Sequence, residues 1–389
     1  MRRRDAIEAL AVWPAACSLV LALASCGQLP AEKSPSVPGG PASRTQRQLS
    51  RPPLAGKVEA PARGAYLGVY VPPAPFDITS LDSLETSAGK KVSIVMWYQP
   101  WAAGNRSRFD AGACVAVMRR GKVPMISWEP WDPGTEAHAL VAPAEQPAYR
   151  LAAISGGKYD AYIAGWARQI RDLGGPVMLR PMHEMNGNWY PWAGTVNGNV
   201  PRDYVSAWRH VHDIFIAEGA TNVTWVWSVN GNSVPDTPAN AFSAYYPGDA
   251  YVDWTAISAF NRGVQGFHPL SELCAGSLAY LKTLRKPICI AEFGTVEKGG
   301  DKAAWLTGAY GWIAANESIK AAIYYDAVER ARDGTRDWRL DSSPASLDAF
   351  RQATAPRYFT GAPPAALSRW ADSLTLYEWE RLLSYPAVY

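Results

Sequence analysis

Eight short apolar runs recur along the chain, and most are separated by segments whose apolar residues repeat at helical spacing. Most of the runs lack the alternation of a half-exposed strand, so each suits a strand buried on both faces. Eight strand–helix alternations predict an α/β fold, a single (β/α)8 TIM barrel over residues 65–355. A doubly wound open sheet is the alternative, but no glycine-rich phosphate loop follows any strand. The predicted strands are Tyr66–Val71, Val92–Trp97, Val123–Trp128, Val177–Leu179, Val223–Trp227, Trp254–Ser258, Ile288–Ala291 and Ala321–Tyr325.

Two of the intervening helices have well-marked ends. One is predicted over Tyr159–Leu173, and the following glycine pair stops it. The other is predicted over Pro201–Glu218, with a proline at its start and a glycine after its end. Beyond the barrel, residues 356–389 form a short C-terminal extension with a helix-like piece over Ala366–Leu383. Four apolar residues could pack that piece on the barrel: Trp370, Leu374, Leu376 and Trp379.

The first 63 residues have the pattern of an export segment followed by a tether. Three arginines precede an apolar run, Ala11–Ala24, whose length suits a signal-peptide core better than a membrane span. Residues 1–25 are therefore predicted to be a signal peptide. The segment Leu23–Cys26 resembles a bacterial lipobox, which would make Cys26 a lipidated membrane anchor; an ordinary secretory cleavage site is the alternative. Residues 27–63, rich in Pro, Ser, Ala and Gly, are predicted to be a flexible linker.

This pattern predicts an exported protein, lipid-anchored in the cell envelope, with a secreted or periplasmic protein as the alternative.

The net charge of +3 is too small for 389 residues to indicate a nucleic-acid partner. Beyond the export segment, Cys114, Cys274 and Cys289 read as buried thiols, although a Cys274–Cys289 disulfide is possible. No metal-ligand spacing occurs among the Cys and His residues. We expect no metal and a monomeric chain.

Seven of the 17 tryptophans fall at or just beyond predicted strand ends. The C-terminal ends of barrel strands form the active-site face of this fold. Indole rings in a wet cleft suit sugars, whose C–H faces stack on aromatic rings while their hydroxyls form hydrogen bonds. Aromatic clusters are also common in cores, which is the alternative. The predicted substrate-binding residues are Trp97, Trp128, His183, Asn186, Trp189, Trp192, Trp227, Phe260 and Tyr325.

Two carboxylates follow or end strands that lie across the barrel mouth from each other. Glu184 follows the fourth strand, and Glu292 follows the seventh. Cleavage of a glycosidic bond needs such a pair, one group to protonate the leaving oxygen and one to attack or to activate water. Glu129 is a third carboxylate on this face, with a binding or structural role. Because two carboxylates suffice for this chemistry, no cofactor is implied.

The segment Arg180–Trp189, RPMHEMNGNW, resembles the fourth-strand signature of glycoside hydrolase family 26, which includes the β-mannanases. Ala291–Gly294 resembles the seventh-strand nucleophile motif of that family. The resemblance covers the barrel, and it implies a retaining endo-β-glycosidase that acts on a β-linked polysaccharide of the β-mannan type. It also implies that Glu184 is the acid/base, that Glu292 is the nucleophile, and that His183 and Trp189 bind near the scissile sugar.

The sixth strand departs from that family. Family members usually carry an Asp two positions before a Tyr whose hydroxyl orients the nucleophile, whereas Ser258 and Phe260 occupy these positions here. A phenylalanine cannot donate a hydrogen bond, so another group, such as Tyr325, would have to take this role. The departure keeps open a bacterial exopolysaccharide or a β-glucan as substrate. It also keeps open a weakly catalytic carbohydrate-binding protein.

Overall fold

The computed structural model describes residues 52–102, 107–134, 144–264, 266–331 and 334–385. The predicted signal peptide, Cys26 and most of the predicted linker lie outside these ranges. No helix in the described part of the chain is both long and apolar enough to cross a membrane.

Eight parallel strands form a closed barrel, which confirms the predicted (β/α)8 fold. Each strand pairs with its neighbours in sequence order, and the eighth strand closes the ring on the first through pairs from Tyr66–Ala321 to Tyr70–Tyr325. Several strands run further than predicted, so that Glu129 and Glu292 lie inside strands and not beyond them. The strands are β1 Ala65–Tyr70, β2 Ile94–Pro100, β3 Val123–Glu129, β4 Val177–Pro181, β5 Val223–Asn230, β6 Trp254–Asn261, β7 Ile288–Thr295 and β8 Ile319–Tyr325.

Helices connect the strands around the barrel. They are α1 Thr79–Ala88, α2 Ala111–Met118, α3 Leu151–Ser155, α4 Asp160–Leu173, α5 Pro201–Ala217, α6 Leu270–Leu273, α7 Ala275–Thr283, α8 Lys302–Ala315 and α9 Pro344–Thr354. Short 3-10 turns lie at Pro147–Tyr149, Pro238–Asn240, Phe242–Tyr245 and Asp249–Tyr251.

The two helices predicted with defined ends are confirmed within a residue. Gly174 ends α4 in a left-handed conformation with φ 80°, which a residue with a Cβ adopts only at a cost. At the start of α5, the Asp203 carboxylate accepts a hydrogen bond from the Val200 N–H at 2.9 Å. That bond satisfies the N–H of Val200, the residue just before the first turn. Pro201 needs no such partner, because proline has no N–H.

The end of the predicted linker is ordered. Residues 53–59, called here the bottom strap, lie across the N-terminal ends of β4, β5 and β6. The Val58 N–H donates to Thr224 Oγ1 at 2.7 Å, and Trp254 Nε1 donates to the Val58 carbonyl at 2.8 Å. Ala55 and Val58 are buried in this contact. The linker has few large side chains, and its composition therefore predicted flexibility. In the bottom strap, backbone groups of Val58 make the hydrogen bonds to the barrel instead.

The C-terminal extension contains two helices, not one. After α9, a short strand β11 Phe359–Thr360 pairs with β1, and then α10 Ala365–Ser373 and α11 Leu376–Leu383 follow. The chain is extended at Leu374, and Thr375 caps α11 by accepting a hydrogen bond from the Glu378 N–H. Trp370 is buried and its Nε1 donates to the Pro53 carbonyl at 3.0 Å. Leu376 is 77% exposed, so the prediction that it packs on the barrel is wrong.

A two-stranded hairpin follows β8, formed by β9 Val328–Ala331 and β10 Gly334–Asp337.

The three cysteines predicted to be thiols are free and buried, so a Cys274–Cys289 disulfide is not formed. Burial raises the pKa of Cys274 to about 12. This agrees with an inert, apolar role for that thiol.

Candidate active site

A cleft with a volume of about 920 Å³ opens at the C-terminal ends of the strands. This size suits a small number of sugar rings, since ligand pockets are commonly of about 300–1,000 Å³. Five of the predicted site residues line it: Glu184, Trp189, Phe260, Glu292 and Tyr325. Five further side chains of the wall matter below: Tyr70, Tyr98, Glu129, Trp131 and Tyr190.

Glu184 is placed by a strained turn directly after β4. Met182 and Glu184 both have positive φ, 49° and 56°, which is uncommon for residues other than glycine. Hydrogen bonds to the neighbouring strands hold the turn, because the Met182 N–H donates to the Trp128 carbonyl at 3.1 Å and the Glu184 N–H to the Ser228 carbonyl at 2.9 Å. Strain of this kind persists where the surroundings over-determine it, and it concentrates at functional sites.

Trp189 fixes the Glu184 carboxyl group. Its Nε1 donates to Glu184 Oε2 at 2.8 Å. Gly187 makes this possible, because a Cβ at that position would lie 2.5 Å from the Trp189 ring. Burial, and next the charge of Glu292, raise the pKa of Glu184 to about 7. Glu184 is therefore substantially protonated near neutral pH, as a general acid must be.

Glu292 is also buried, and it accepts hydrogen bonds on both carboxylate oxygens. Arg180 Nη2 donates to its Oε1, and the Tyr98 hydroxyl donates to its Oε2. Charged and phenolic donors on both oxygens stabilise a carboxylate anion and fix its direction. The phenol that orients this group therefore comes from β2. Neither Phe260 nor Tyr325, the group suggested from the sequence, has a hydrogen bond to Glu292 in the described structure, although both line the cleft.

The two carboxyl groups are close enough to act on one bond. An oxygen of Glu184, an oxygen of Glu292 and a ring nitrogen of His183 all lie within 4.8 Å of one another. Three such groups could in principle share a cation. However, the Arg180 guanidinium already supplies a positive charge to Glu292, so the set fits a reacting carboxylate pair better than a metal site.

Glu129 and His183 are buried beside this pair. Burial raises the pKa of Glu129 to about 8, despite a hydrogen bond of 3.1 Å from Trp131 Nε1 to its Oε2. Burial and the Arg180 charge lower the pKa of His183 well below its usual range, so its ring is neutral. His183 Nδ1 lies 3.8 Å from Glu129 Oε1, and His183 Nε2 lies 3.9 Å from Glu292 Oε1.

Three predicted tryptophans point away from the cleft, and their assignment as substrate-binding residues is wrong. Trp97, Trp128 and Trp227 are at most 3% exposed. Alternate strand residues face opposite sides of a barrel wall. Tyr98 and Glu129 face inward, so Trp97 and Trp128 face the helices. The ring centroids of Trp128 and Trp166 of α4 lie 4.8 Å apart, and those of Trp227 and Tyr246 lie 5.2 Å apart.

Two other predicted residues support the cleft without lining it. Trp192 is fully buried, donates to the His183 carbonyl at 2.6 Å, and stacks on Tyr190 with 4.3 Å between centroids. Asn186 is also fully buried, and its side chain donates to the Asn230 carbonyl at 3.1 Å while its oxygen accepts from the Asn230 N–H at 2.8 Å. Both support the walls of the cleft, and neither is among the residues that line it.

The sequence reasoning missed three aromatic groups of the cleft: Tyr70, Tyr98 and Tyr190. Tyr70 and Tyr98 pack edge to face with 4.9 Å between centroids, and Tyr190 lies 4.9 Å from the His183 ring. Strand parity could have found Tyr98, because adjacent residues of a strand face opposite sides of the wall, so that either Trp97 or Tyr98 must face inward. No comparable signal marked Tyr190, which lies in a loop.

A (β/α)8 barrel with paired carboxylates in an aromatic cleft is the arrangement of a glycoside hydrolase. Residues 102–295, about half of the chain, match the sequence model of glycosyl hydrolase family 26. The barrel belongs to this family.

Named relatives agree with this assignment. Endoglucanase H of Acetivibrio thermocellus is 34% identical over 326 residues, covering 79% of this chain and 33% of that protein. A mannan endo-1,4-beta-mannosidase of Bacillus subtilis strain 168 is 24% identical over 201 residues, covering 49% of this chain and 52% of that protein. The matches thus span about a third and about half of the lengths of these two relatives.

Solved structures share the fold. A family 26 β-mannanase from Bacteroides ovatus superposes with a TM-score of 0.57 at 16% identity, over 77% of this chain and 90% of that one. A Cellulomonas fimi endo-β-1,4-mannanase superposes with a TM-score of 0.59 at 16% identity, over 81% of this chain and 79% of that one. At these identities the likeness establishes the barrel architecture alone.

Proposed function

We propose that this chain is a retaining endo-β-glycosidase that hydrolyses a β-linked polysaccharide. The observation that carries the proposal is the pairing of two nearby buried carboxyl groups that have different hydrogen-bond partners. Glu184 has a pKa raised to about 7, and Glu292 is held by Arg180 and Tyr98, with oxygens of the two groups within 4.8 Å. Retaining enzymes place these groups about 5–5.5 Å apart, whereas inverting enzymes need about 6.5–9.5 Å to admit a water.

The reaction proceeds in two displacements. Glu292 attacks the anomeric carbon while the bond to the glycosidic oxygen breaks and Glu184 donates its proton to that oxygen. The leaving chain departs with a new hydroxyl, and the glycone is bound to Glu292 as an ester. Glu184, now a carboxylate, takes a proton from water as the water attacks the same carbon. The ester bond breaks as the bond to water forms, which frees Glu292 and gives a product with the original anomeric configuration.

The first candidate substrate is a β-mannan. It is supported by the fourth- and seventh-strand motifs and by the relatives named as mannan endo-1,4-beta-mannosidases. The second candidate is a β-glucan. It is supported by the relative named Endoglucanase H, which matches over more of this chain, and by Ser258 and Phe260 on β6. An exopolysaccharide is a further polymer for the test.

The test is hydrolysis of a panel of β-mannans, mixed-linkage and other β-glucans, xylans and the exopolysaccharide of the source cell. Released reducing ends are compared with those from the Glu184→Gln variant. We expect activity on a mannan or a glucan that is lost in the variant, and a product whose first-formed anomer is β by NMR. A first-formed α anomer contradicts retention. Binding without turnover favours a carbohydrate-binding protein.

We also propose that the protein is exported and anchored through Cys26, on the basis of the basic, apolar and lipobox pattern of residues 1–26. Cell fractionation tests this. The Cys26→Ser variant is expected to leave the membrane fraction, whereas a variant of the buried Cys114 is expected to stay with it. An unchanged distribution of Cys26→Ser contradicts the anchor.

A further inference from the structure

The last helix of the chain exposes a row of large apolar side chains. Leu376 of α11 is 77% exposed, and Tyr377 and Leu383 are 46% and 47% exposed. With 3.6 residues per turn, these three side chains fall within an arc of about 120° around the helix axis. We call them the apolar face of α11. A grouped set of this kind, unlike a single exposed leucine, indicates a surface that meets something apolar.

Contacts with the barrel place the apolar face at the N-terminal ends of the strands. Ser93, directly before β2, donates to the Thr360 carbonyl at 2.8 Å, so the C-terminal extension starts under that strand. Arg381 of α11 donates to the Asp172 carbonyl at 2.9 Å, near the end of α4 and ahead of β4. Leu54 of the bottom strap is 43% exposed at the same end. The cleft lies at the opposite end of the barrel.

The two ends of the barrel also differ in charge. Residues 89–93 and 119–122 directly precede β2 and β3, and they hold five Lys or Arg and no Asp or Glu. Residues 182–200 and 231–237 follow β4 and β5 at the cleft end, and they hold two Asp or Glu and no Lys or Arg. An anionic surface would therefore be attracted to the end that carries the apolar face.

Part of this basic charge is available to a partner. Lys122 is buried, and Arg120 pairs with Asp82 at 2.8 Å, so these two are already used within the chain. Arg119 is exposed, and the side chain of Lys91 is 74% exposed. Exposed basic side chains at the same end as an apolar helix face are the combination that binds anionic lipid bilayers.

The predicted linker joins the barrel at this same end. Pro52, the first described residue, packs at the end of α4, where a Cβ on Gly174 would lie 3.0 Å from its side chain. The 25 residues between Cys26 and Pro52 span at most about 90 Å when extended, and about 25–30 Å on average as a flexible chain. A lipid anchor at Cys26 would thus keep the apolar face within reach of the bilayer.

We propose that the apolar face of α11 binds the N-terminal end of the barrel to an anionic lipid surface. Its three side chains enter the boundary between head groups and acyl chains, and Arg119 and Lys91 contact the anionic head groups. The cleft then faces away from the lipid, toward a polymer in solution. The inference goes beyond the proposed hydrolase and the proposed anchor, because it concerns the orientation of the folded barrel.

One acidic residue lies within the apolar face and provides a test of sign. Glu380 is exposed and falls between Leu376 and Leu383 around the helix. A carboxylate at this position is repelled by anionic lipid. Glu380→Lys is therefore expected to strengthen the contact with the bilayer, whereas a face exposed only to water would be indifferent to this change.

The experiment measures how close one site lies to the acyl chains. The full chain is reconstituted on vesicles of phosphatidylglycerol and phosphatidylcholine in equal parts, with nitroxide-labelled acyl chains as quencher. A bimane label is placed at Leu383→Cys or, as the control, at Thr237→Cys, an exposed residue at the cleft end. The described cysteines, Cys114, Cys274 and Cys289, are buried and should not take the label. Quenching at residue 383 is expected to be at least about 3-fold greater than at residue 237.

Substitutions in the labelled chain separate binding by the apolar face from tethering alone. Leu376→Glu is expected to lower quenching at residue 383 to the level at residue 237. An acidic residue in the first turn does not disfavour the helix, so this loss would not reflect unfolding of α11. Glu380→Lys is expected to raise the quenching about 2-fold, and vesicles of phosphatidylcholine alone to lower it about 2-fold. Val200→Glu, the matched change at an exposed apolar residue just before α5, should have no effect.

The outcomes distinguish the membrane contact from the other proposals. Equal quenching at residues 383 and 237 in a chain that still floats with the vesicles leaves the anchor intact and overturns the membrane contact. A shifted emission at residue 383 without quenching indicates a second copy of the chain on the apolar face, and it also overturns the contact, as does a chain that does not float with the vesicles. Quenching at residue 383 that persists in Cys26→Ser supports the contact and contradicts the anchor alone. Because turnover is not measured, an inactive chain contradicts only the proposed hydrolase.

Discussion

The two ends of the barrel differ in how their buried polar groups are hydrogen-bonded. At the N-terminal end, the bottom strap bonds to Thr224 and Trp254, and Asn222 Nδ2 donates to the Ile170 and Gly175 carbonyls at 2.9 and 2.7 Å, although Asn222 Oδ1 and Ser318 Oγ have no partner among the described residues. At the C-terminal end, buried polar atoms of His183, Arg180 and Ser228, which lie beside the two carboxyl groups or on the strand next to them, have no partner among the described residues.

The difference suggests a test: the N-terminal end is expected to contribute mainly to stability and the C-terminal end mainly to binding. Paired groups hold elements together at little cost, whereas unpaired buried groups cost stability unless a ligand meets them. Substitutions at the C-terminal end should therefore act on turnover, and those at the N-terminal end on folding. The predictions below test this contrast.

The largest effect is expected from Glu292→Ala. Removing the nucleophile should lower kcat by about 10⁴- to 10⁶-fold. Azide should restore part of the rate, because a small anion fits where the carboxylate was removed, and the product should be an α-glycosyl azide. Glu184→Gln with azide should instead give the β-azide. Detection of the β-azide from Glu292→Ala would reverse the two assigned roles.

Tyr98→Phe should have the next largest effect. It removes the phenol that orients Glu292 from β2, and we expect kcat to fall about 10- to 100-fold with little change in KM. Phe260→Tyr in the same chain should recover part of the loss, since Phe260 pairs with Gly294 and lies on the Glu292 side of the wall. Tyr70→Phe, a phenol removed from the same cleft without a bond to Glu292, should lose less. Equal losses for Tyr70→Phe and Tyr98→Phe would contradict the orienting role.

Trp189→Phe should move the pH profile. The acid must be protonated, so kcat/KM of the native chain should fall as pH rises through about 7, the raised pKa of Glu184. The indole hydrogen bond favours the charged form and lowers that pKa, so its loss should shift the alkaline limb upward by about half a unit to one unit. The measurement is kcat/KM from pH 5 to 10. A downward shift would contradict this account.

The sequence predicted the barrel and two carboxylates that the structure brings together, because both predictions rest on local patterns. Apolar runs at regular spacing identified the strands, and the RPMHEMNGNW segment identified the turn that carries Glu184. The tryptophan assignments were wrong because a residue near a strand end can face either side of the wall. Trp97 and Tyr98 are adjacent in sequence but belong to the core and the cleft, respectively.

Partnerships between distant segments could not be predicted in the same way. The bonds from Tyr98 and Arg180 to Glu292 join three strands, and the contact of Val58 with Thr224 joins residues 166 positions apart. Composition made the bottom strap, residues 53–59, resemble part of a tether, because a strap held by backbone hydrogen bonds needs few apolar side chains. Register and closure of the barrel determine these contacts, and neither is visible in a local window.

The smallest effect on turnover is expected from Thr224→Val at the N-terminal end. The substitution keeps the side-chain shape but removes the acceptor for the Val58 N–H, which stays buried without a partner. We expect unfolding to become easier by about 1–3 kcal/mol in urea titrations, while kcat/KM stays within about 2-fold of the native value. Thr221→Val, the same change at an exposed position nearby, should alter neither quantity. A loss of turnover with unchanged stability in Thr224→Val would break the contrast between the two ends, because it would connect the bottom strap to the catalytic groups.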